Sequence, residues 1–385
     1  MNSQNSILDK IIESQEKQQA ASFNPNDLIS SLLKNLPNKE SDILSRRFGL
    51  SGRKKETLEQ IGRFYNITRE RIRQIESATI KKLKDIREFK HEIEDAEKYI
   101  NHLLENHGGV MEENSLLSKI SQSINDELSR HSAYFILSNI LNEKIEKIRP
   151  DLDLLSGWKL PVVSLNSVKE IVKELVDIIE NKNNLLKKDE ILKEFQKRDF
   201  YNQKKEEILA LRLGVNGEFN HEEINKLVDS HLKISKKIDE NIIGELGLAK
   251  WNTITPKRMS DKVYLVLRKI EKPLHFTEIS DLINQSTFDK KIAYPATIHN
   301  ELILDDRYVL VGRGIYALKE WGYQPGTVLD IIVDILKKSE KPMTKEELIE
   351  EVMNQRIVRK STIYLALTNK EKIKKLPDGK YSLAD

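Results

Sequence analysis

From residue 25 onward, apolar residues fall at helical spacing in short runs divided by turn signals. Asp27 to Leu36 places Leu28, Ile29, Leu32 and Leu33 on one stripe. Pro37 suits the first turn of a second helix, with Ile43, Leu44 and Phe48 inward, and Gly49 and Ser51-Gly52 end it. Thr57 then caps a helix whose inward positions are Leu58, Ile61 and Phe64. After a turn at Tyr65-Asn66, Thr68 caps a long helix carrying Ile72, Ile75, Ile80 and Leu83. Short helix, tight turn, long basic helix is helix-turn-helix order. Upstream, Ser6 to Gln19 has Ile7, Leu8, Ile11 and Ile12 on one face, so residues 1–24 are a tail or a short helix.

After Phe89 the pattern changes. Leu155 to Trp158, Leu248 to Trp251 and Leu318 to Trp321 share the form Leu-x-x-Trp, and each closes a stretch that begins with an amphipathic helix. The tryptophans suit packing anchors. This predicts an array of similar small domains at 89–163, 164–256, 257–323 and 324–385, following a helix-turn-helix at 25–88. In 257–323, Asp261 to Ile270 is helical and Lys272-Pro273 breaks it. Thr277 caps Glu278 to Asn284, and Thr297 to Leu304 is a third helix. Tyr308 to Val311 and Gly314 to Leu318 flank Gly312-Arg313-Gly314 as two strands, which completes a winged helix. The last segment repeats the plan and turns at Asp378-Gly379. The expected fold class is mainly α: an N-terminal helix-turn-helix domain, then tandem winged-helix domains with small β-hairpin wings.

Composition agrees with several small domains. The 385 residues are 38% hydrophobic and 32% charged, much surface for little core. There is no cysteine, which excludes disulfides and thiolate metal sites and suits a reducing cytoplasm. No apolar run approaches the ~18–20 residues that span a bilayer, so no membrane partner is expected. Net charge is only +3, but Ser45 to Glu88 holds 13 Lys/Arg and 6 Asp/Glu, a local +7 that leaves −4 on the rest. Such a concentrated excess suits a module that neutralises phosphates, although a solvated lysine-rich surface has the same composition.

The stretch Thr57-Leu-Glu-Gln-Ile-Gly-Arg-Phe-Tyr-Asn-Ile-Thr-Arg-Glu-Arg-Ile-Arg-Gln-Ile-Glu76 resembles region 4.2 of the primary sigma factor family. Upstream, Leu36-Pro-Asn-Lys-Glu-Ser-Asp-Ile-Leu-Ser-Arg-Arg-Phe-Gly-Leu50 resembles region 4.1. The resemblance covers about 60 residues. It implies that the Thr68 to Lys84 helix reads the promoter −35 element in double-stranded DNA, that Arg69, Glu70, Arg73 and Gln74 face bases or adjacent backbone, and that bacterial RNA polymerase is a partner through its flap. The chain departs from the family at Ala78, where a basic residue is usual. Independently of the family, Arg69, Glu70, Arg73 and Gln74 share one helix face, opposite Ile72 and Ile75. Arg can donate twice to guanine, Glu can accept from cytosine and Gln suits adenine. Arg and Glu at this spacing also form plain surface ion pairs. Arg46, Thr57, Arg63, Thr68, Arg71 and Lys81 are the candidate phosphate contacts.

A second resemblance lies in Lys272-Pro-Leu-His-Phe-Thr-Glu-Ile279, Thr297 and Arg307-Tyr-Val-Leu-Val-Gly-Arg-Gly-Ile-Tyr-Ala-Leu318, which looks like the HARE-HTH domain of the delta subunit of some bacterial RNA polymerases. It implies a winged helix that binds nucleic acid or the transcription machinery. Arg313 at the wing tip can reach a groove or a phosphate, or simply be an exposed turn residue. His275 suits a core or capping role better than a ligand role, and the acidic second helix argues against tight DNA contact there.

No Walker A loop, His-Glu-x-x-His or nucleophile elbow is present, and no cofactor, metal site or enzymatic activity is expected. Only about 25 residues precede the region 4 resemblance. The aromatic-rich region with which sigma factors melt the −10 element is therefore not expected, and a regulator, accessory subunit or split factor fits better. The function expected is a sigma-related, promoter-binding transcription factor; the alternative is a delta-like polymerase subunit whose helical domains mainly bind protein.

Overall fold

The structure, a computed structural model, describes residues 23–86, 89–121, 126–210, 221–286, 288–339 and 341–384. The expected helix from Ser6 to Gln19 lies outside these residues. Helix accounts for 59% of the structure and the strands form small antiparallel sheets, so the chain is mainly α with small wings. It divides into two compact units, the first reaching Asp239 and the second beginning at Glu240.

The first unit opens with α1 (Pro25–Lys34), α2 (Asn38–Phe48), α3 (Leu58–Tyr65) and α4 (Arg69–Asp85). Pro37 sits one residue before the first helical turn of α2, and Gly49 ends that helix in the left-handed region at φ 72°. There follow α5 (Lys90–Glu105), β1 (Val110–Glu112), α6 (Glu113–Ser121), α7 (Glu127–Phe135), β2 (Glu146–Ile148) and β3 (Gly157–Lys159). The strands lie in the order β1-β3-β2, and Trp158 on the central strand faces Met111 and Lys147 in register. Trp158 is fully buried and anchors this sheet. The unit continues through α8 (Leu165–Lys182), α9 (Lys188–Lys197), α10 (Asp199–Ala210) and α11 (His221–Ile234).

Within this unit the expected segments pack against one another. Helix α7 docks on the helices of 25–88: the Phe48 and Phe135 rings meet edge to face at 4.8 Å, and Asn26 hydrogen-bonds Ser129 and Ser132 at 2.6 and 2.7 Å. Lys84 at the end of α4 reaches Asn142 and Glu143. Likewise α11 closes on the sheet of 89–163. The Ser230 hydroxyl donates to the Val110 carbonyl, and the Leu155 amide donates to the Ile234 carbonyl at 2.8 Å. Residues 25–88, 89–163 and, through α11, 164–256 thus share buried surface. The hydrophobic period marks each helix but carries no record of which helices meet.

In the second unit, β4 and β5 are the short strands Ile238–Glu240, which straddles its start, and Leu246–Leu248. Then come α12 (Met259–Ile270), β6 (Leu274–His275), α13 (Phe276–Gln285), α14 (Pro295–Leu304), β7 (Tyr308–Gly312) and β8 (Ile315–Leu318). The order β6-β8-β7 repeats the strand order of the first unit's sheet. Val263, Leu267, Ile279, Ile298 and Tyr316 belong to one core beneath it. His275, not Thr277, is the N-cap of α13: its ring nitrogen accepts from the Thr277 amide while Glu278 bonds back to the His275 amide. The Thr277 hydroxyl instead lies 2.7 Å from the His275 ring.

The last segment holds α15 (Val328–Lys338), α16 (Lys345–Gln355), α17 (Lys360–Leu367), β9 (Ile373–Lys375) and β10 (Tyr381–Leu383). Thr327 and Thr344 cap α15 and α16 through reciprocal boxes with Asp330 and Glu347. Arg356 ties this segment to the preceding one. It is 5% exposed, and its guanidinium donates to the carbonyls of Leu310, Gln324 and Gly326. The neighbouring Ile357 amide donates to the Val311 carbonyl at 2.9 Å. Replacing Arg356 by Met removes three hydrogen bonds whose acceptors belong to exposed residues, so each loss costs about 1 kcal/mol rather than a full desolvation penalty. The expected outcome is a lowered unfolding temperature for the second unit and faster amide exchange at Ile357. Unchanged exchange there would show that the guanidinium does not hold the two segments together.

Candidate nucleic-acid interface

Helices α3 and α4 are set by two caps and one turn. Thr57 accepts from the Gln60 amide at 3.3 Å, and the Gln60 side chain accepts from the Thr57 amide at 2.8 Å. Thr68 accepts from the Arg71 amide at 3.2 Å. Between the helices Asn66 takes a left-handed conformation, φ 54°, and the Ile67 amide bonds the Gly62 carbonyl at 2.9 Å. A Cβ on Gly62 would lie 2.7 Å from the Ile67 carbonyl oxygen, so only glycine lets the chain turn this tightly. Ile43, Ile61 and Ile72 are fully buried and fix α4 against α2 and α3.

This leaves the first turns of α4 in solvent. Arg69, Glu70, Arg71, Arg73 and Gln74 are all exposed, while Ile72 is buried and Ile75 partly so. Glu70 and Arg73 form a two-bonded ion pair at 2.7 and 2.9 Å, and the Arg71 guanidinium donates to Gln74 at 3.1 Å. The hydrogen bond from Arg73, followed by its charge, holds the Glu70 carboxyl below its ordinary range despite slight desolvation. Exposed pairs of this kind contribute little to stability, so they open readily for a better partner. Arg63 is exposed and paired with Glu59 at 2.5 Å; Lys81 is exposed on the next turns of α4. The hydroxyls of Thr57 and Thr68 are occupied as caps.

Arg46 is placed differently from the expectation of a phosphate contact. It is mostly enclosed, bonded to Asp42 at 2.7 Å and to Glu56 at 2.9 Å, with its guanidinium 3.9 Å from the centre of the Phe64 ring. Phe64 itself is 60% exposed rather than inward, because its ring covers this arginine. Asp42 is the hub: it also accepts from the Tyr65 hydroxyl at 2.6 Å and from Arg53 at 3.0 Å. Burial alone would raise Asp42, but the bonds from Tyr65 and Arg46 carry it below its usual value. Burial and the bond to Asp42 push Tyr65 up to about 12. Sequence reasoning passed over Asp42, Glu56 and Gly62. The i, i+4 spacing of Asp42 and Arg46 was an available signal for the first; nothing local marked Glu56.

Arg313 stands exposed at the tip of the β7–β8 hairpin, before Gly314 at φ 70°. Among the described residues no group of His, Asp or Glu is arranged to hold a metal, and no helix is long and apolar enough to cross a membrane. A groove of about 810 Å³ between α1 and α5 is lined by Asp27, Glu92, Asp95 and Glu105, the wrong sign for phosphates.

The geometry has a counterpart among known proteins. Residues 32–85 match the family Sigma-70, region 4. This segment is similar to sigma-70 region 4. Over 56 residues the chain is 45% identical to RNA polymerase sigma factor SigA of Nostoc sp. and equally to SigA of Microcystis aeruginosa. The matched stretch is 14% of this chain and 14% of each relative, so the chain spans about one-seventh of the length of those sigma factors. The region 4 match ends at the last residue of α4 and takes in the Asp42 hub, Gly62 and the exposed face of α4.

Asp42→Asn removes the charge that Arg46 and Arg53 share. The expected cost is about 1–3 kcal/mol in unfolding free energy. A depressed carboxylate stabilises above its unfolded pKa of about 4 and loses that contribution as pH falls through the folded value. The variant should therefore differ from wild type at neutral pH, and the two should converge below pH of about 4 in thermal melts. A gap that persisted in acid would assign the effect to packing instead.

Proposed function

We propose that this chain is a DNA-binding transcription factor related to sigma factors, which recognises −35-like promoter DNA and acts with bacterial RNA polymerase. The observation that carries the reading is the exposed row Arg69, Glu70, Arg73 and Gln74 on the helix of a sigma-70 region 4. Such a helix enters the major groove by its N-terminal turns. Arg73 then reads guanine once Glu70 releases it, and Glu70 is free to accept from cytosine. Arg63, Arg71 and Lys81 neutralise flanking phosphates; Thr57 and Thr68 set the helix ends close to the backbone. Arg46 acts from inside by holding α2 to α3.

For the segment 257–323 a protein partner is the better reading, in line with its likeness to the HARE-HTH domain. From Tyr294 to Tyr316, its third helix and wing hold Glu301, Asp305 and Asp306 against Arg307 and Arg313. Arg307 is already bound to Asp305 and Asp261. The work proposed for the chain is binding, with no catalytic step.

Selection of a randomised duplex library by the full chain tests the main reading, beside an Arg69→Ala/Arg73→Ala variant. Enrichment of a −35-like hexamer that the variant loses is the expected result. Arg73→Ala alone should cost about 1–3 kcal/mol on the selected site and relax preference at one base, whereas Lys81→Ala should weaken all sequences alike. No enrichment by wild type would defeat promoter reading by the isolated chain.

A further inference from the structure

The two winged segments of the second unit share an element order but not an electrostatic character. From Arg359 to Lys380 the last segment has seven basic residues and two acidic ones, Glu371 and Asp378. The equivalent stretch before it, Tyr294 to Tyr316, has two basic and three acidic. Placement sharpens the contrast. Arg359 and Lys360 are exposed where α17 begins, followed by exposed Ser361 and Thr362. Lys374 is exposed on β9, and Lys380 is exposed beside the Asp378-Gly379 turn, where Gly379 has φ 87°. Arg359, Lys360, Lys370 and Lys374 have no ion pair among the described residues. Lys372 is bound to Asp330. Four acidic residues of this segment, Glu346, Glu347, Glu350 and Glu351, gather instead on α16.

We propose that this surface, the start of α17 and the β9–β10 wing, is a second contact for double-stranded DNA that grips phosphates without reading sequence, while the winged segment before it does not bind DNA. The inference rests on the reading of the chain as a DNA-binding protein. Unpaired cations on a helix and a hairpin suit two phosphate rows across a groove. The exposed residues that open α17 are Arg359, Lys360, Ser361 and Thr362, which can all bond phosphate oxygens. Neither Asn nor Gln is among them, so no adenine-specific pair is offered. The acidic α16 keeps the rest of the segment off the polyanion.

The test measures binding of the full chain to a short duplex without a −35-like element, as a function of salt, by fluorescence anisotropy. Arg359→Gln/Lys360→Gln/Lys374→Gln is compared with wild type and with Arg313→Gln, and circular dichroism melts check that all remain folded. Each phosphate contact adds about 0.9 to the slope of log affinity against log salt. The triple variant should lose at least about tenfold in affinity and about 2–3 in slope, and Arg313→Gln almost nothing. Wild-type affinity and slope in the triple variant would overturn the proposal, as would an equal loss in Arg313→Gln. Tighter binding of single-stranded RNA of the same length would overturn it in favour of RNA. If library selection fails while the triple variant still loses duplex binding, promoter reading falls and this contact stands; the reverse pattern removes this contact alone.

Discussion

The approach of Ile67 to Gly62 governs the first unit's exposed helix. Two helices can meet at a steep angle over a short connection only if one of them offers no side chain at the crossing. Gly62 supplies that gap, Asn66 supplies the left-handed residue, and the amide of Ile67 closes the loop on the Gly62 carbonyl. With the turn so constrained, Ile72 falls into the pocket between Ile43 and Ile61. The direction of every other side chain on α4 then follows from helical geometry. The polar hub around Asp42 braces the same joint from α2. Five of its members, Asp42, Arg46, Arg53, Glu56 and Tyr65, come from α2, α3 and the loop between them.

Much of this was legible in the residues. The caps Thr57 and Thr68, the stop at Gly49 and the apolar stripe of α4 are short-range signals, and each depends on bonds within one turn of helix. The exposed row on α4 follows from period alone. Arg46 and Phe64 did not follow. A basic residue next to a basic segment reads as a phosphate contact, and a phenylalanine at helical spacing reads as core. Their stacking joins positions 18 residues apart on different helices. The joint made by Arg356 is invisible for the same reason, since its partners are backbone carbonyls about 30–46 residues away. The N-cap on α13 falls at His275, for which a capping role was one expectation, two positions before Thr277, whose hydroxyl made it the more usual cap.

The two units put common parts to different ends. A helix, strand, helix, helix and hairpin in the order β6-β8-β7 recur as β1-β3-β2 in the first unit. In the first unit that sheet is capped by α11 and its tryptophan is wholly buried; in the second, Trp321 is only partly covered. What changes along the chain is the surface: an arginine-rich helix face at 69–74 before the first such repeat, a nearly neutral third helix at 295–304, and a lysine-bearing wing at 373–383.

The docking of α7 has one further consequence. Phe135, Ser129 and Ser132 cover parts of α1 and α2, while the first turns of α4 stay open. A protein that needs the covered part of those helices must compete with the chain's own helix. Its apparent affinity is then scaled down by the fraction of molecules in which α7 is released. DNA bound as proposed would meet no such competitor, because the first turns of α4 lie outside the surface that α7 covers.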